Sequence, residues 1–444
     1  MAAVPLLTHS SPAAVLAWRG GFAVTAHEFL CDVRSLALRL PPARHVLNVC
    51  ADRYRFAVGF AACLLGERST LLPSTHTPGV VRQLAAFAPD TLCLTDDPRQ
   101  DIDLPQFLYP DDLAAAAAPW RVPTIDADRL AAIVFTSGTT GTPLPHRKTW
   151  GRLAACVRDE AKRLKIDDGR SHALLGTVPP QHMYGFESTV LLALQSGNAL
   201  IAERPFYPAD VAAAIAAAPR PRVLVSTPVH LRALLAAGVE LAAADLVVSA
   251  TAPLGADLAA KIERRFDTAL IEIYGSTETG QIASRRTAEV NAWRLWPGVH
   301  LSRSADCTFA LGGHLEQRTA LCDVVEPLIN GEFLLHGRTA DLVNIAGKRS
   351  SFAYLDHQLN AIPGVVDGAF FPGDPRGAGT TGVTRLAAAV VAPTLNAAEL
   401  LAQLRERVDP AFLPRPLLLV ERLPRNATGK LPYRELRLLA AKSK

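Results

Sequence analysis

Residues 131–135 form an unbroken apolar run, Ala131-Ala132-Ile133-Val134-Phe135, which passes directly into Thr136-Ser137-Gly138-Thr139-Thr140-Gly141-Thr142-Pro143. A strand that delivers a loop of small residues leaves consecutive backbone N–H groups able to converge on an anion, with the hydroxyls as further donors. Gly138 and Gly141 let the backbone approach closely because no Cβ intervenes. No Gly-Lys-Ser/Thr closes the run, so it is not a Walker loop. The surroundings suit such a loop. Residues 25–40 and 55–65 have helical periodicity, and 45–50 and 91–95 read as short buried strands. This alternation predicts an α/β chain with largely parallel sheets. Ala-rich runs at 114–118, 212–218 and 242–244 read as closely packed helix formers.

At 444 residues, two or three domains are expected. A hydrophobic content of 49% against 20% charged residues supplies enough apolar surface for large cores, which excludes a disordered chain. The net charge of +4 is far below the basic excess of a protein that wraps nucleic acid. The most apolar stretch, 190–202, is interrupted at Gln195, Ser196, Gly197 and Asn198, short of the roughly 18 apolar residues that a membrane span needs. The first eleven residues lack a basic segment followed by an apolar core. The seven cysteines are scattered without a C-x-x-C pair and read as reduced, mostly buried thiols. A cytoplasmic location is the expectation. From Asp341 onward there are 14 Lys and Arg against 9 Asp and Glu, a local excess of +5. That basic segment is either an ordinary solvated face or a docking face for an acidic partner.

The loop at 136–143 resembles, nearly letter for letter, the phosphate loop of the adenylate-forming superfamily: acyl- and aryl-CoA synthetases, peptide-synthetase adenylation domains and luciferases. Further motifs of that superfamily follow in order over roughly residues 20–440. Pro180-Gln181-His182-Met183-Tyr184-Gly185 resembles the segment whose His or aromatic gates the carboxylate pocket. Ser249-Ala250-Thr251-Ala252-Pro253-Leu254 resembles the small-residue segment beside adenine, with Ala250 and Thr251 where two glycines are usual. Tyr274-Gly275-Ser276-Thr277-Glu278-Thr279-Gly280 follows a short strand at 270–273. An aromatic there offers a stacking face to a purine, and a carboxylate among hydroxyls suits Mg²⁺, which takes oxygen ligands. Asp323 and Gly337-Arg338 have the spacing of the ribose-binding Asp and the following Gly-Arg; a carboxylate can accept from both hydroxyls of a diol. Pro424-Arg425-Asn426-Ala427-Thr428-Gly429-Lys430 resembles the loop bearing the catalytic lysine.

The resemblance implies a large N-terminal domain, 1–339, of mixed and parallel sheets layered with helices. A small mobile α+β domain, 340–444, would follow, hinged at Ala340 and Asp341. It implies an AMP-forming acid–thiol ligase with Lys430, His182 and Glu278 as catalytic residues and Glu278 as the Mg²⁺ ligand. The nucleotide would be held by Thr136, Ser137, Gly138, Thr139, Thr140, Gly141, Lys148, Ala252, Pro253, Tyr274, Gly275, Ser276, Thr277, Asp323 and Arg338. His182, Tyr184, Thr251 and Tyr274 would line the acid pocket, and Gly347 a thiol tunnel. The cofactors implied are ATP and Mg²⁺, with phosphopantetheine on an acidic acyl carrier protein preferred as acceptor and free coenzyme A as the alternative. The superfamily loop usually ends Pro-Lys, whereas here Pro143-Leu144-Pro145-His146-Arg147-Lys148-Thr149-Trp150 follows. Arg147 and Lys148, after an extra turn, are the alternatives for the missing cation. That tail is similar to short AMP-ligases of bacterial aryl-polyene pathways, which points to an aromatic or apolar acid. The reading of a different class is a non-catalytic nucleotide-binding scaffold on a degenerate fold.

Overall fold

The computed structural model describes residues 2–73, 75–113, 119–137, 143–304, 307–338, 342–345, 348–373, 386–425, 431, 435–436 and 438. The chain divides into two compact units. One comprises Met1–Ala250, Ala256–His300 and Ala310–Thr319; the other comprises Thr251–Gly255, Leu301–Phe309 and Ala320–Lys444. The expected hinge at Ala340 and Asp341 lies outside the described residues.

The first unit is α/β with two large sheets. A six-stranded sheet runs in the order Pro143–Thr149, Leu130–Ser137, Ser69–Leu72, His45–Asn48, Thr91–Thr95, Gln106–Leu108. All neighbours in it are parallel except the first pair, which is an antiparallel hairpin. The second sheet has a parallel centre, in the order Leu270–Ser276, Leu246–Ser249, Arg222–Ser226, Ala173–Gly176, Ala199–Ile201, Val15–Arg19. Antiparallel strands flank it at Gly280–Arg285 and Phe22–Thr25. The chain leaves Ala173–Gly176 to one side for Ala199–Ile201 and then returns to its other side for Arg222–Ser226. Such a reversal opens a crevice at the carboxyl ends of the strands, where open α/β sheets place their ligands. Thr177, Ser226 and His230 meet there, with Thr177 Oγ1 2.8 Å from His230 Nδ1 and 3.0 Å from Ser226 Oγ.

Local sequence explains the element limits. The helix Ala26–Arg39 begins at a capping box in which Thr25 Oγ1 accepts from Glu28 N and the Glu28 carboxylate accepts from Thr25 N. In Trp150–Leu164 the buried positions include Leu153, Cys156, Val157, Glu160, Ala161 and Leu164, a helical stripe with one carboxylate set into it. Two expectations need correction. Residues 143–149 form no extra turn but a strand paired with Leu130–Ser137, from Pro143 opposite Ser137 to Thr149 opposite Leu130. Residues 242–244 are not helical: their neighbourhood is held as a connection because Arg222 Nε donates to Ala243 O and Arg265 donates to Leu241 O. Of the cysteines, five are buried, Cys307 is half-buried and Cys322 is exposed.

The second unit contains an α+β body built on a three-stranded sheet, Asp367–Pro372, Leu386–Val391 and Leu417–Leu419. Alternate residues feed two cores. Phe370, Ala388 and Val390 pack with Leu355, Leu359, Leu400 and Leu404. Phe371, Ala387 and Ala389 pack with Leu418, Leu423 and Leu436. Arg425 grips Asp367 bidentately, at 2.7 Å through both Nε and Nη2, and so fixes the chain immediately before residues 426–430.

Arg53 ties the two sheets of the first unit together. It opens the helix Arg53–Leu65, which lies in sequence between two strands of the smaller sheet, yet its guanidinium serves the larger one. Nη1 donates to Ile201 O (2.7 Å) and Glu203 O (2.9 Å), and Nη2 to Gly176 O (2.9 Å) and Val178 O (3.0 Å). Arg53 is fully buried, which brings its pKa down to about 10 and still leaves it charged. Replacing Arg53 by Met strands three buried carbonyls and one partly buried one, each buried one costing about 1–3 kcal/mol when left unpaired. Urea denaturation of Arg53→Met should show a loss of about 3 kcal/mol or more, and an unchanged midpoint would remove the clamp.

Candidate active site

The strands Leu130–Ser137 and Pro143–Thr149, which flank the loop in sequence, pair antiparallel with Ser137 opposite Pro143. Gly138, Thr139, Thr140 and Gly141 lie outside the described residues, as does the Ser137 side chain. Thr136, at the loop entry, is 2.9 Å through Oγ1 from His146 Nε2. His146 Nε2 is in turn 3.9 Å from Glu278 Oε1. Burial lowers the His146 pKa, and the Glu278 carboxylate partly offsets this.

Glu278 projects from a tight turn between Leu270–Ser276 and Gly280–Arg285. The strand runs on through Tyr274, Gly275 and Ser276, with a register irregularity at Tyr274/Gly275. A side chain at Gly275 would stand 2.2 Å from Gly280 O, so only glycine fits. Gly280 has φ +69°, in the left-handed region. Two hydroxyl residues close the turn: Ser276 N donates to Thr279 Oγ1 (3.1 Å) and Thr279 N to Ser276 Oγ (3.2 Å). With Ser276 and Thr279 bonded inward, Thr277 and Glu278 stand at the half-exposed tip. Tyr274 packs against Trp293 with ring centroids 5.5 Å apart, and Arg285 lies 4.3 Å over the Trp293 ring.

Apart from Lys148, sequence reasoning did not point to the polar core beneath this turn. Lys148, 6% exposed, donates from Nζ to Glu278 O at 2.8 Å. His314 Nε2 lies 3.2 Å from Thr279 O. Below them Cys156 Sγ is 3.3 Å from Glu187 Oε1, and Gln281 Nε2 donates to Ser188 Oγ at 2.8 Å. Glu187 is carried by a π-helical stretch, Phe186–Leu191, a rare element concentrated at functional sites. A side chain at Gly280 would stand 2.8 Å from Glu187 Oε1. Burial pushes the Glu160 pKa up to about 8 and the Glu187 pKa to about 7, the latter against the pull of Lys148. Burial also lowers Lys148, which Glu187 partly offsets, and brings His314 down to about 4, so that this imidazole is neutral at neutral pH. The detectable signals were a lysine closing an edge strand and a glutamate on the apolar face of Trp150–Leu164.

His182 caps the short helix Met183–Gly185 with extended backbone, and Tyr184 is 5% exposed. Gln181 Nε2 donates to Cys50 O at 2.6 Å, and a side chain at Gly185 would collide with Pro179 O, so the segment keeps a single course. In the second unit Thr251 has φ +80°, a strained value for a β-branched residue and one that glycine adopts freely. Ala252 and Pro253 follow it. Asp323 opens the strand Asp323–Pro327, with its Cα opposite that of Arg338 in Glu332–Arg338. The spacing read in the sequence is thus the span of one hairpin. The Arg338 side chain, Gly347 and Lys430 lie outside the described residues.

No three His, Cys, Asp or Glu side chains cluster to hold an ion among the described residues. A single half-exposed carboxylate nevertheless fits Mg²⁺, which is commonly held by one or two carboxylates together with nucleotide oxygens. Among the described residues no helix is long and apolar enough to cross a membrane.

Thr136, His146 and Glu278 thus stand together where the strand hairpin meets the clamped acidic turn of this α/β unit. Residues 11–309 match the AMP-binding enzyme family model, and the chain belongs to that family. It is 31% identical to a 4-coumarate–CoA ligase of Rhodobacter capsulatus over 53% of this chain and 58% of that protein. It is 25% identical to a 4-chlorobenzoate–CoA ligase of an Arthrobacter species over 69% of this chain and 65% of that protein. The matched region therefore spans less than two thirds of the length of either relative. Among solved structures, ATP-bound MatB from Rhodopseudomonas palustris superposes with a TM-score of 0.82 at 20% identity, covering 97% of this chain and 96% of that one. The o-succinylbenzoate CoA synthetase MenE of Bacillus subtilis, with its acyl-adenylate intermediate, gives 0.81 at 17% identity, covering 96% of each chain. These two share the fold.

Because Glu160 has a raised pKa, the folded state binds a proton more tightly than the unfolded state between the ordinary value of 4.5 and about 8. Stability therefore falls as pH rises through that window. Glu160→Gln should match the native protein near pH 4.5 and become progressively more stable than it up to pH 8. Parallel denaturation curves at every pH would show that Glu160 is not protonated in the folded state.

Proposed function

We propose that this protein is an ATP-dependent acid–thiol ligase that activates an aromatic or apolar carboxylic acid as its acyl-adenylate. The observation that carries the reading is the Ser276–Thr279-clamped turn, which presents Glu278 3.9 Å from the imidazole bonded to the phosphate-loop entry at Thr136. In the first half-reaction a carboxylate oxygen attacks the α-phosphorus, and the bond to the bridging oxygen breaks to release pyrophosphate. Positioning and charge stabilisation supply most of the acceleration in such transfers. Mg²⁺, when bound with the nucleotide, neutralises phosphate charge. Thr136 and the loop to Gly141 would orient the phosphates, and Tyr274, Ala252 and Pro253 would flank the adenine. Asp323 and Arg338 would hold the ribose, and Lys430 would bring its ammonium to the developing charge. His182, Tyr184 and Thr251 would shape the acid pocket.

In the second half-reaction a thiolate attacks the acyl carbon and AMP leaves. Coenzyme A is the acceptor that the names of both curated relatives support. Phosphopantetheine on an acidic carrier protein is the second reading, favoured by the +5 excess after residue 340. Gly347 would line the thiol path in either case. Reversing the charge at Arg434 and Arg437 should raise the KM for a carrier several-fold and leave adenylation intact; equal loss in both half-reactions would exclude the carrier face.

ATP–pyrophosphate exchange over a panel of aromatic and fatty acids, without thiol, tests the central reading. Exchange with one acid class is expected, with a fall of two or more orders of magnitude in Lys430→Ala and loss of the Mg²⁺-dependent rate in Glu278→Ala. A native protein that binds ATP yet exchanges with no acid would point to the scaffold instead.

A further inference from the structure

The strand Pro143–Thr149 carries more than the far side of the phosphate hairpin. Its side chains alternate, so Leu144, His146 and Lys148 share one face and Arg147 lies on the other. Leu144 is 53% exposed and occupies the position after Pro143 where the resemblance expects a lysine. Further along the same face stand two nitrogen groups, and both address Glu278: His146 Nε2 is 3.9 Å from its carboxylate and Lys148 Nζ 2.8 Å from its backbone carbonyl.

Several features show that this arrangement is built. The strand has a register irregularity between Lys148 and Thr149, a feature that re-aims side chains near functional sites. Thr149 is anchored immediately beyond it, donating from both N (2.8 Å) and Oγ1 (2.7 Å) to Glu316. A buried ammonium is costly to desolvate, and an apolar residue of similar volume would fill the space without that cost. What the lysine adds is a charge-assisted hydrogen bond to the peptide of one particular residue. That bond fixes the peptide plane, and with it the direction of the Glu278 Cα–Cβ bond.

We propose that Lys148 and His146 are positioning residues for Glu278, holding its peptide from beneath and its carboxylate from the side, so that the carboxylate and the Thr136 end of the phosphate loop meet the metal–nucleotide in fixed register. Lys148 then acts through Glu278 rather than on the phosphates. This rests on the ligase reading only for the identity of the reaction; the support itself is a property of metal–nucleotide binding.

The test uses the full chain with Mn²⁺ as probe, its binding in the presence of ATP followed by electron paramagnetic resonance, alongside pyrophosphate exchange. Lys148→Met should weaken Mn²⁺ binding about tenfold and lower the exchange kcat by a similar factor, with the acid KM changed less than twofold. Lys148→Arg, which can still donate to the carbonyl, should recover most of the loss. In a Glu278→Gln background, Lys148→Met should cost no further Mn²⁺ affinity. An equal additional loss there, or native Mn²⁺ affinity in folded Lys148→Met, would overturn the proposal. Should Lys148→Met fail to fold, His146→Gln carries the test. His146→Gln should weaken Mn²⁺ binding about threefold, and native affinity in that variant would overturn the proposal. Absence of exchange by the native protein with every acid would refute the ligase reading instead, and the Mn²⁺ titration would still decide the positioning role.

Discussion

The guanidinium of Arg53 joins a helix of the smaller sheet to two strand ends of the larger one. A helix that crosses between parallel strands normally packs on its own sheet, and Arg53–Leu65 does so at Gly59, where a side chain would meet Leu94 and Asn48. Its first residue nevertheless donates to Gly176, Val178, Ile201 and Glu203. These carbonyls lie at or just beyond the carboxyl ends of two strands of the other sheet, where the ladder has stopped supplying donors. One charged group satisfies what two strand ends leave open. Gly176 has no side chain because a Cβ would lie 2.7 Å from Nη2. The segment from Val178 to Gly185, with His182 and Tyr184, departs from this fixed point.

The site itself is organised by burying polar groups under a turn. Glu160 and Glu187 are costly to bury as carboxylates. Burial raises the pKa of both, and at Glu187 the nearby positive charge of Lys148 and a hydrogen bond from Cys156 offset part of the cost. A hydrophobic filling would pack as well, but it could not bond the carbonyls of Glu278 and Thr279, which turn inward when Ser276 and Thr279 clamp the loop. The polar core is therefore the counterpart of the exposed tip: each carbonyl fixed below removes a degree of freedom above. Preorganisation of this kind is what a reaction dominated by charge stabilisation requires.

Motif letters made the exposed half of this arrangement legible in the sequence, because a Gly-rich loop and a Tyr-Gly-Ser-Thr-Glu turn are contiguous. Beyond Lys148 the buried half was not, since Cys156, Glu160, Glu187, Gln281 and His314 are scattered over more than 150 positions. Pro143 and Pro145 suggested a continuing turn, yet they lie in a strand. Being two apart, they remove donors from the same side of it, and in an edge strand that side has no ladder to feed. The alanines at 242–244 misled for a related reason: helix propensity is a weak prior, and arginine side chains that bond to the carbonyls of Leu241 and Ala243 outweigh it.

Thr251 shows how far a letter can carry a physical argument. Where the resemblance led to an expectation of glycine, the chain keeps the conformation that glycine would take, φ +80°, with a β-branched side chain. Backbone energetics alone would replace Thr251 by glycine, because that conformation is strained for threonine and free for glycine. A fold that retains the strain places a methyl and a hydroxyl at a point where the superfamily pattern leaves space. The strain at Thr251 and the buried charge at Lys148 are two local costs of the same sort, each borne where a smaller or an apolar residue would be cheaper.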